Sequence, residues 1–194
     1  RMYAPEDFGL LNLFLSIGNV LVVLSIADYY YAIVLPKNEK DAVALTHISL
    51  LFLLITTILV ALSVLFSTPI SMIFKSPNLA KYYWLMPLYV LIMGMWNVLN
   101  YWYIRKKSFG RISGYQMSQS ILSAGGKLGL GYAGVLQGGM IYATVIAPFI
   151  ALLSSLLLSF RKTLRPLLFF SKIDVLTQAR VYRNFPCFVL PRSF

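Results

Sequence analysis

Five polar side chains recur at steps of three and four in the stretch ISGYQMSQSILSAGGKLGLGYAGVLQ: Ser113, Gln116, Ser120, Ser123 and Lys127. At 100° per residue they fall within roughly one quarter of a helix circumference. Hydroxyls, an amide and an ammonium on one stripe can hydrogen-bond water or sugar and attract an anion such as a phosphate. The stretch also exceeds the roughly 20 residues that a bilayer requires. A charge near the bilayer centre costs at least a few kcal/mol and usually faces a cavity or a partner. Two readings of Lys127 compete. In one, the serines bond back to their own helix and the lysine snorkels outward, over roughly 10 Å to the hydrocarbon boundary. In the other, the stripe lines a water-filled cavity between helices. On nearly the opposite side, Gly125, Gly129 and Ala133 recur every four residues, a small-residue face suited to packing against another helix.

Weaker polar faces occur elsewhere. Asn12, Ser16 and Asn19 share one helix face, Ser49, Thr56 and Ser63 repeat every seven residues, and Asn97 and Asn100 sit one turn apart. Each alone suits ordinary interhelical hydrogen bonding. Together they favour a shared interior cavity.

The elements that position these residues are membrane spans. Hydrophobic residues make up 59% of the 194 and charged ones only 12%, where a soluble domain has near half and about a quarter. The expected fold class is therefore all-α, a polytopic transmembrane helical bundle. Five spans are expected, at about 8–27 (A), 43–66 (B), 82–104 (C), 112–136 (D) and 138–160 (E). A basic, partly apolar segment at 161–185 should lie along the membrane surface, and a sixth span should begin at 186–194. Pro5, Glu6 and Asp7 open span A, where proline suits the first turn and acids favour the positive helix end. D and E, joined around Gln137–Gly138–Gly139, should form a tight helical hairpin.

Net charge is +11, and in such a chain it reads as topology rather than as nucleic-acid binding. Lys37 and Lys40 lie in the A–B loop. Arg105, Lys106, Lys107 and Arg111 lie between C and D. Arg161, Lys162, Arg165, Lys172, Arg180 and Arg183 follow E. Only Arg1, Lys75 and Lys81 lie on the other side. The positive-inside rule puts the first group in the cytoplasm. A chain that starts outside without an initiator methionine is expected to be part of something longer. The single Cys187 excludes an internal disulfide.

Aromatic triplets at 29–31, 82–84 and 101–103 read as interfacial belts. His47 reads as an interfacial histidine, and Asp28 as the partner of a basic loop residue. No span carries the carboxylate and histidine clusters of a membrane hydrolase or metalloenzyme, and no P-loop or glycine-rich dinucleotide turn occurs. No catalytic residue, metal site or cofactor is expected, and the chain does not read as an enzyme.

Four stretches resemble one family in order and spacing. RMYAPEDFG resembles the segment after the first helix of bacterial polysaccharide and O-antigen flippases, and AIVLPKNEKDA resembles their first cytoplasmic loop. NYWYIRKKSFGRIS resembles their aromatic-rich stretch between the fourth and fifth helices, and YRNFPCFVLP resembles the approach to their seventh. The resemblance implies the multidrug/oligosaccharidyl-lipid/polysaccharide exporter superfamily, in which two lobes surround a central cavity, with this chain covering the second to sixth helices. It implies flipping of an undecaprenyl-diphosphate-linked oligosaccharide across the bacterial cytoplasmic (inner) membrane for O-antigen, capsule or exopolysaccharide synthesis. Its implied partners are that lipid-linked oligosaccharide, the bilayer, and the polysaccharide polymerase and chain-length machinery. Two departures stand out. Asp28-Tyr29-Tyr30-Tyr31 replaces the arginine and glutamate common before AIVLP, and Lys127 stands where glutamine is common. The expected cavity lining is Lys127, Ser123, Ser120, Gln116, Asn12, Ser16, Asn19, Asn97 and Asn100. A membrane-embedded glycan polymerase or ligase, or a drug or cation exporter of the same superfamily, is the alternative. The first predicts a large outer loop with catalytic residues; the second predicts intramembrane acids.

Overall fold

The computed structural model describes residues 3–26, 29–135, 138–159 and 163–168. Asp28, Gln137, most of the expected surface segment 161–185 and the expected sixth span lie outside the described residues.

The described chain is all-helical. Five long helices, α1 (Pro5–Ile26), α3 (Glu39–Ser63), α6 (Met86–Arg105), α7 (Phe109–Tyr132) and α8 (Gly139–Ser159), are joined by the short α2 (Tyr29–Ala32), α4 (Ser67–Ile73) and α5 (Pro77–Tyr82). Four stretches are long and apolar enough to cross a membrane: Pro5–Ser25, Glu39–Ile73, Pro77–Arg105 and Gly139–Ser159. At 24 residues α7 is about 36 Å long by the helical rise, so its glycines and serines, not its length, keep it out of that group. It also begins three residues before expected span D and ends four before it. Residues 67–81, outside any expected span, form the α4–α5 hairpin at one end of the bundle.

The core is built around α6. Its buried face includes Met86, Tyr89, Val90, Trp96, Leu99, Trp102 and Tyr103, and it contacts α1, α3, α7 and α8. Lipid supplies no hydrophobic drive between helices, so close packing and interhelical hydrogen bonds must hold them. Both are visible. In α1, Leu11, Phe14, Gly18 and Val22 recur every three or four residues and face inward. The Phe14 ring meets Tyr89 edge-on at 5.6 Å. Gly18 sits so close to that tyrosine that a Cβ would lie 2.6 Å from Cε1 of the ring. Exposed side chains such as Leu51, Leu54, Ile58, Leu62 and Leu65 line the outside of α3 and its extension, as a lipid-facing surface requires.

The two ends of the bundle differ in charge. At the basic end the loop 33–38, the α6–α7 connection and Thr163 meet. Arg105 donates to the carbonyls of Ile33, Pro36, Lys37 and Asn38 at 3.1, 2.6, 3.5 and 3.1 Å. Lys106 pairs with Glu39 at 2.5 Å, and Trp102 Nε1 donates to the Thr163 carbonyl at 2.9 Å. At the other end Tyr3 lies against Gly131 and Gly139, and Tyr82 against Gly138. Gly138 has φ +80° and would press a Cβ into the Tyr82 ring, so only glycine fits there.

The aromatic triplets depart from the belt expected of them. Tyr29, Tyr30, Tyr82, Tyr83, Trp102 and Tyr103 are all buried, and Tyr31 and Trp84 are the exposed members. They pack on one another and on the core: Tyr101 meets Tyr30 at 4.9 Å and Tyr31 at 5.0 Å, and Tyr29 stacks on Phe52. Their ring faces provide interior contact area at both ends of the bundle, which composition alone does not distinguish from a belt.

Candidate functional site

The stripe on α7 is presented by a helix whose only buried residues are Tyr115 and Gly131. Tyr115 anchors it to the core, its ring stacked on Trp96 at 3.3 Å and 10°. On the α8 side Gly126 meets Ala143, where a Cβ would lie at 3.3 Å. The expected small-residue face is a turn-fraction off: a Cβ on Gly125 or Gly129 would meet nothing within 4 Å. Gly125 and Gly126 are adjacent, and it is the second that lies against Ala143.

With that face fixed, Ser113, Gln116 and Ser120 are exposed and Ser123 and Lys127 half-buried. Among the described residues none of these five side chains makes a hydrogen bond or ion pair. The neighbouring Ser118, off the stripe, does bond back to Gly114 O at 2.8 Å. The serines of the stripe therefore do not satisfy themselves on their own helix, which removes that half of the snorkelling account. Lys127 is engaged through its backbone: its carbonyl accepts the Tyr3 hydroxyl at 2.6 Å. Partial burial, then the Asp7 carboxylate, push the Tyr3 phenol above its ordinary range, so it remains a donor through neutral and mildly alkaline pH.

The other expected lining residues are placed differently. In α1, Asn12 is exposed with a free side chain, Ser16 bonds back to Asn12 O at 2.8 Å, and Asn19 Oδ1 accepts the Tyr89 hydroxyl at 2.9 Å. Asn97 is half-buried without a side-chain partner, and Asn100 holds a buried Oδ1 with none. Among the described residues the Ser16–Asn12 bond is the only side-chain hydrogen bond joining two of the nine. They do not form one bonded cluster; they are polar positions spread over three helices, of which Asn19 alone bonds Tyr89. On α3, Ser49 bonds to Leu45 O and Ser63 to Val60 O and Tyr83, which is ordinary helix and interhelix bonding.

Two contacts escaped the sequence. Tyr89 holds Asn19, and its signal was an i, i+7 pairing with Trp96 on one face of α6. Arg105 holds the loop 33–38, and its partners are carbonyls that no residue type marks. This clamp joins two of the stretches that carry the family resemblance, AIVLPKNEKDA and NYWYIRKKSFGRIS. Tyr3, in the RMYAPEDFG stretch, touches α7. Among the described residues no three His, Cys, Asp or Glu side chains gather where a metal ion could sit.

The bundle and its apolar surface define an all-helical membrane protein. A family model described as polysaccharide biosynthesis protein matches residues 1–178, and the chain belongs to that family. No curated protein and no solved structure matches it.

Proposed function

We propose that the chain is part of a flippase that carries a lipid-linked oligosaccharide across the bacterial cytoplasmic membrane. The observation that carries this reading is the α7 stripe: five polar side chains, one cationic, all without partners among the described residues, on a helix of a membrane protein in a polysaccharide biosynthesis family. In hydrocarbon each unsatisfied polar group costs several kcal/mol. A stripe of them therefore belongs against water, ligand or more protein. Hydroxyls and amides suit sugar hydroxyls, and the ammonium of Lys127 suits a diphosphate or an acidic sugar. The proposed cycle is alternating access, in which this bundle rocks against a second lobe of the kind the resemblance implies while the lipid tail stays in the bilayer. No catalytic step is assigned to the protein.

The test uses the full-length gene in its native host. Deletion, wild type and Lys127→Ala are compared at equal membrane abundance for surface glycan and for the leaflet in which lipid-linked units accumulate. Deletion should trap intact units on the cytoplasmic side, and Lys127→Ala should reproduce much of that trapping. Unpolymerised units on the outer side would instead favour a glycan polymerase or ligase. Normal export by Lys127→Ala would remove the lysine from the transport path.

A further inference from the structure

The seam between α7 and α8 holds two concavities in line. At the basic end a pocket of about 150 Å³ is lined by Arg111, Tyr115, Ser118, Ser154, Ser155 and Leu158. Further along, a groove of about 480 Å³ is lined by Ile121, Leu122, Gly125, Ile146 and Ile150 among others. On α7 the lining runs 111, 115, 118, 122, 125, and on α8 158, 154, 150, 147, 143. These are steps of three and four, so one face of each helix carries both. The two concavities are one turn apart along the same helix faces, the first lined by polar side chains and the second apolar.

The polar end is built for an anion. The Arg111 side chain makes no hydrogen bond or ion pair among the described residues, and no acidic side chain lines the pocket. It lies in the first turn of α7, which has no acid there and no side-chain cap, since Ser108 bonds to Lys106 O instead. Ser155 shares a 3.2 Å hydrogen bond with Tyr103; when Tyr103 donates, the serine proton is left for a ligand. The apolar end is open, with Ile121, Ile146, Ile150 and, beside the pocket, Leu158 all exposed.

The geometry points to a site for an anionic phospholipid, its phosphate at Arg111 and one acyl chain along the groove. Two observations favour a phospholipid over other occupants. Basic loops place this end at the cytoplasmic leaflet, and basic pockets between helices at that level bind lipid headgroups. The pocket offers a single cation, enough for one phosphate. The site lies on a different face from the Lys127 stripe and does not depend on the transport reading.

Native mass spectrometry of the full-length protein in mixed phosphatidylglycerol and phosphatidylcholine of matched chains tests it. Wild type should retain phosphatidylglycerol with a several-fold preference. Arg111→Gln should bring the ratio near one. Gly125→Leu, whose side chain enters open groove space, should lower retention of both lipids and keep the ratio. Equal retention by wild type, or an unchanged preference in Arg111→Gln, would overturn the site. So would displacement of the phospholipid by millimolar inorganic phosphate, which would leave an anion pocket alone, or by equimolar polyprenyl phosphate, which would assign the seam to a transported carrier. A Gly125→Cys variant that cross-links efficiently to another helix of the same protein would show that a helix fills the groove, and would equally sink the proposal.

Discussion

Helices α6 and α7 follow one another in the chain, differ by four residues in length, and obey opposite rules. In α6 the buried polar groups mostly find protein partners: Tyr89 on Asn19, Trp102 on Thr163, Tyr103 on Ser155, with Asn100 Oδ1 the exception. In α7 the side chains of Ser113, Gln116, Ser120, Ser123 and Lys127 find none among the described residues, and Ser118 only bonds back to its own helix. A bilayer tolerates the first arrangement because every bond closes inside the protein. The second is tolerable only where something polar meets the helix. The contrast separates residues that hold the bundle together from residues available to act, and it does so without reference to sequence conservation.

The largest expected effect breaks the α6 side. Trp102→Ala removes a fully buried ring and its bond to Thr163, and should cost on the order of 3–5 kcal/mol, read as a steep fall in the unfolding temperature of purified protein. Arg105→Lys comes next. A lysine keeps the charge but not the planar fork of donors that reaches four carbonyls, and hydrogen bonds to charged groups are worth about 1.5–3 kcal/mol each. A loss of roughly 2 kcal/mol is expected, with faster proteolysis within 33–38 as the independent readout. Tyr3→Phe should cost about 1 kcal/mol. The raised Tyr3 value adds a pH signature. Its contribution is complete below the ordinary tyrosine range near 10 and is lost as pH rises through the higher folded value, so the wild type should lose an increment of stability in alkali that Tyr3→Phe does not show. Smallest for stability should be Gln116→Ala and Ser120→Ala, within about 0.5 kcal/mol, yet glycan export should fall in both. A stripe variant that unfolds the protein while exporting normally would erase the distinction between the helices.

Much of this was readable in the chain. The apolar runs mark four of the five long helices, the period of the polar stripe marks α7, and Pro5-Glu6-Asp7 marks the first helix start. The basic loops were assigned to one side, and the structure brings Arg105, Lys106 and the 33–38 loop together at one end. The stripe itself was legible because side-chain type and period define it. What failed did so for identifiable reasons. The helical wheel could not choose between adjacent Gly125 and Gly126, because the choice depends on Ala143 of another helix. The aromatic triplets were read by location and not by facing. The Arg105 clamp and the Tyr3–Lys127 contact end on backbone oxygens, which every residue carries and no sequence pattern distinguishes. Of the expected lining, Ser16 and Asn19 are already bonded within the bundle, which their residue types do not reveal.

The Arg105 clamp has a consequence for how the protein is made. Pro36 and Arg105 are 69 residues apart, and at about 5–20 residues per second of synthesis the arginine follows its loop by roughly 3 to 14 s. During that interval the carbonyls of Ile33, Pro36 and Lys37 lack the arginine that holds them, at the membrane surface, with α1 and α3 already made. The loop closes when the end of α6 emerges, so the first three long helices become a locked unit at one defined moment of translation, before α7 and α8 are made.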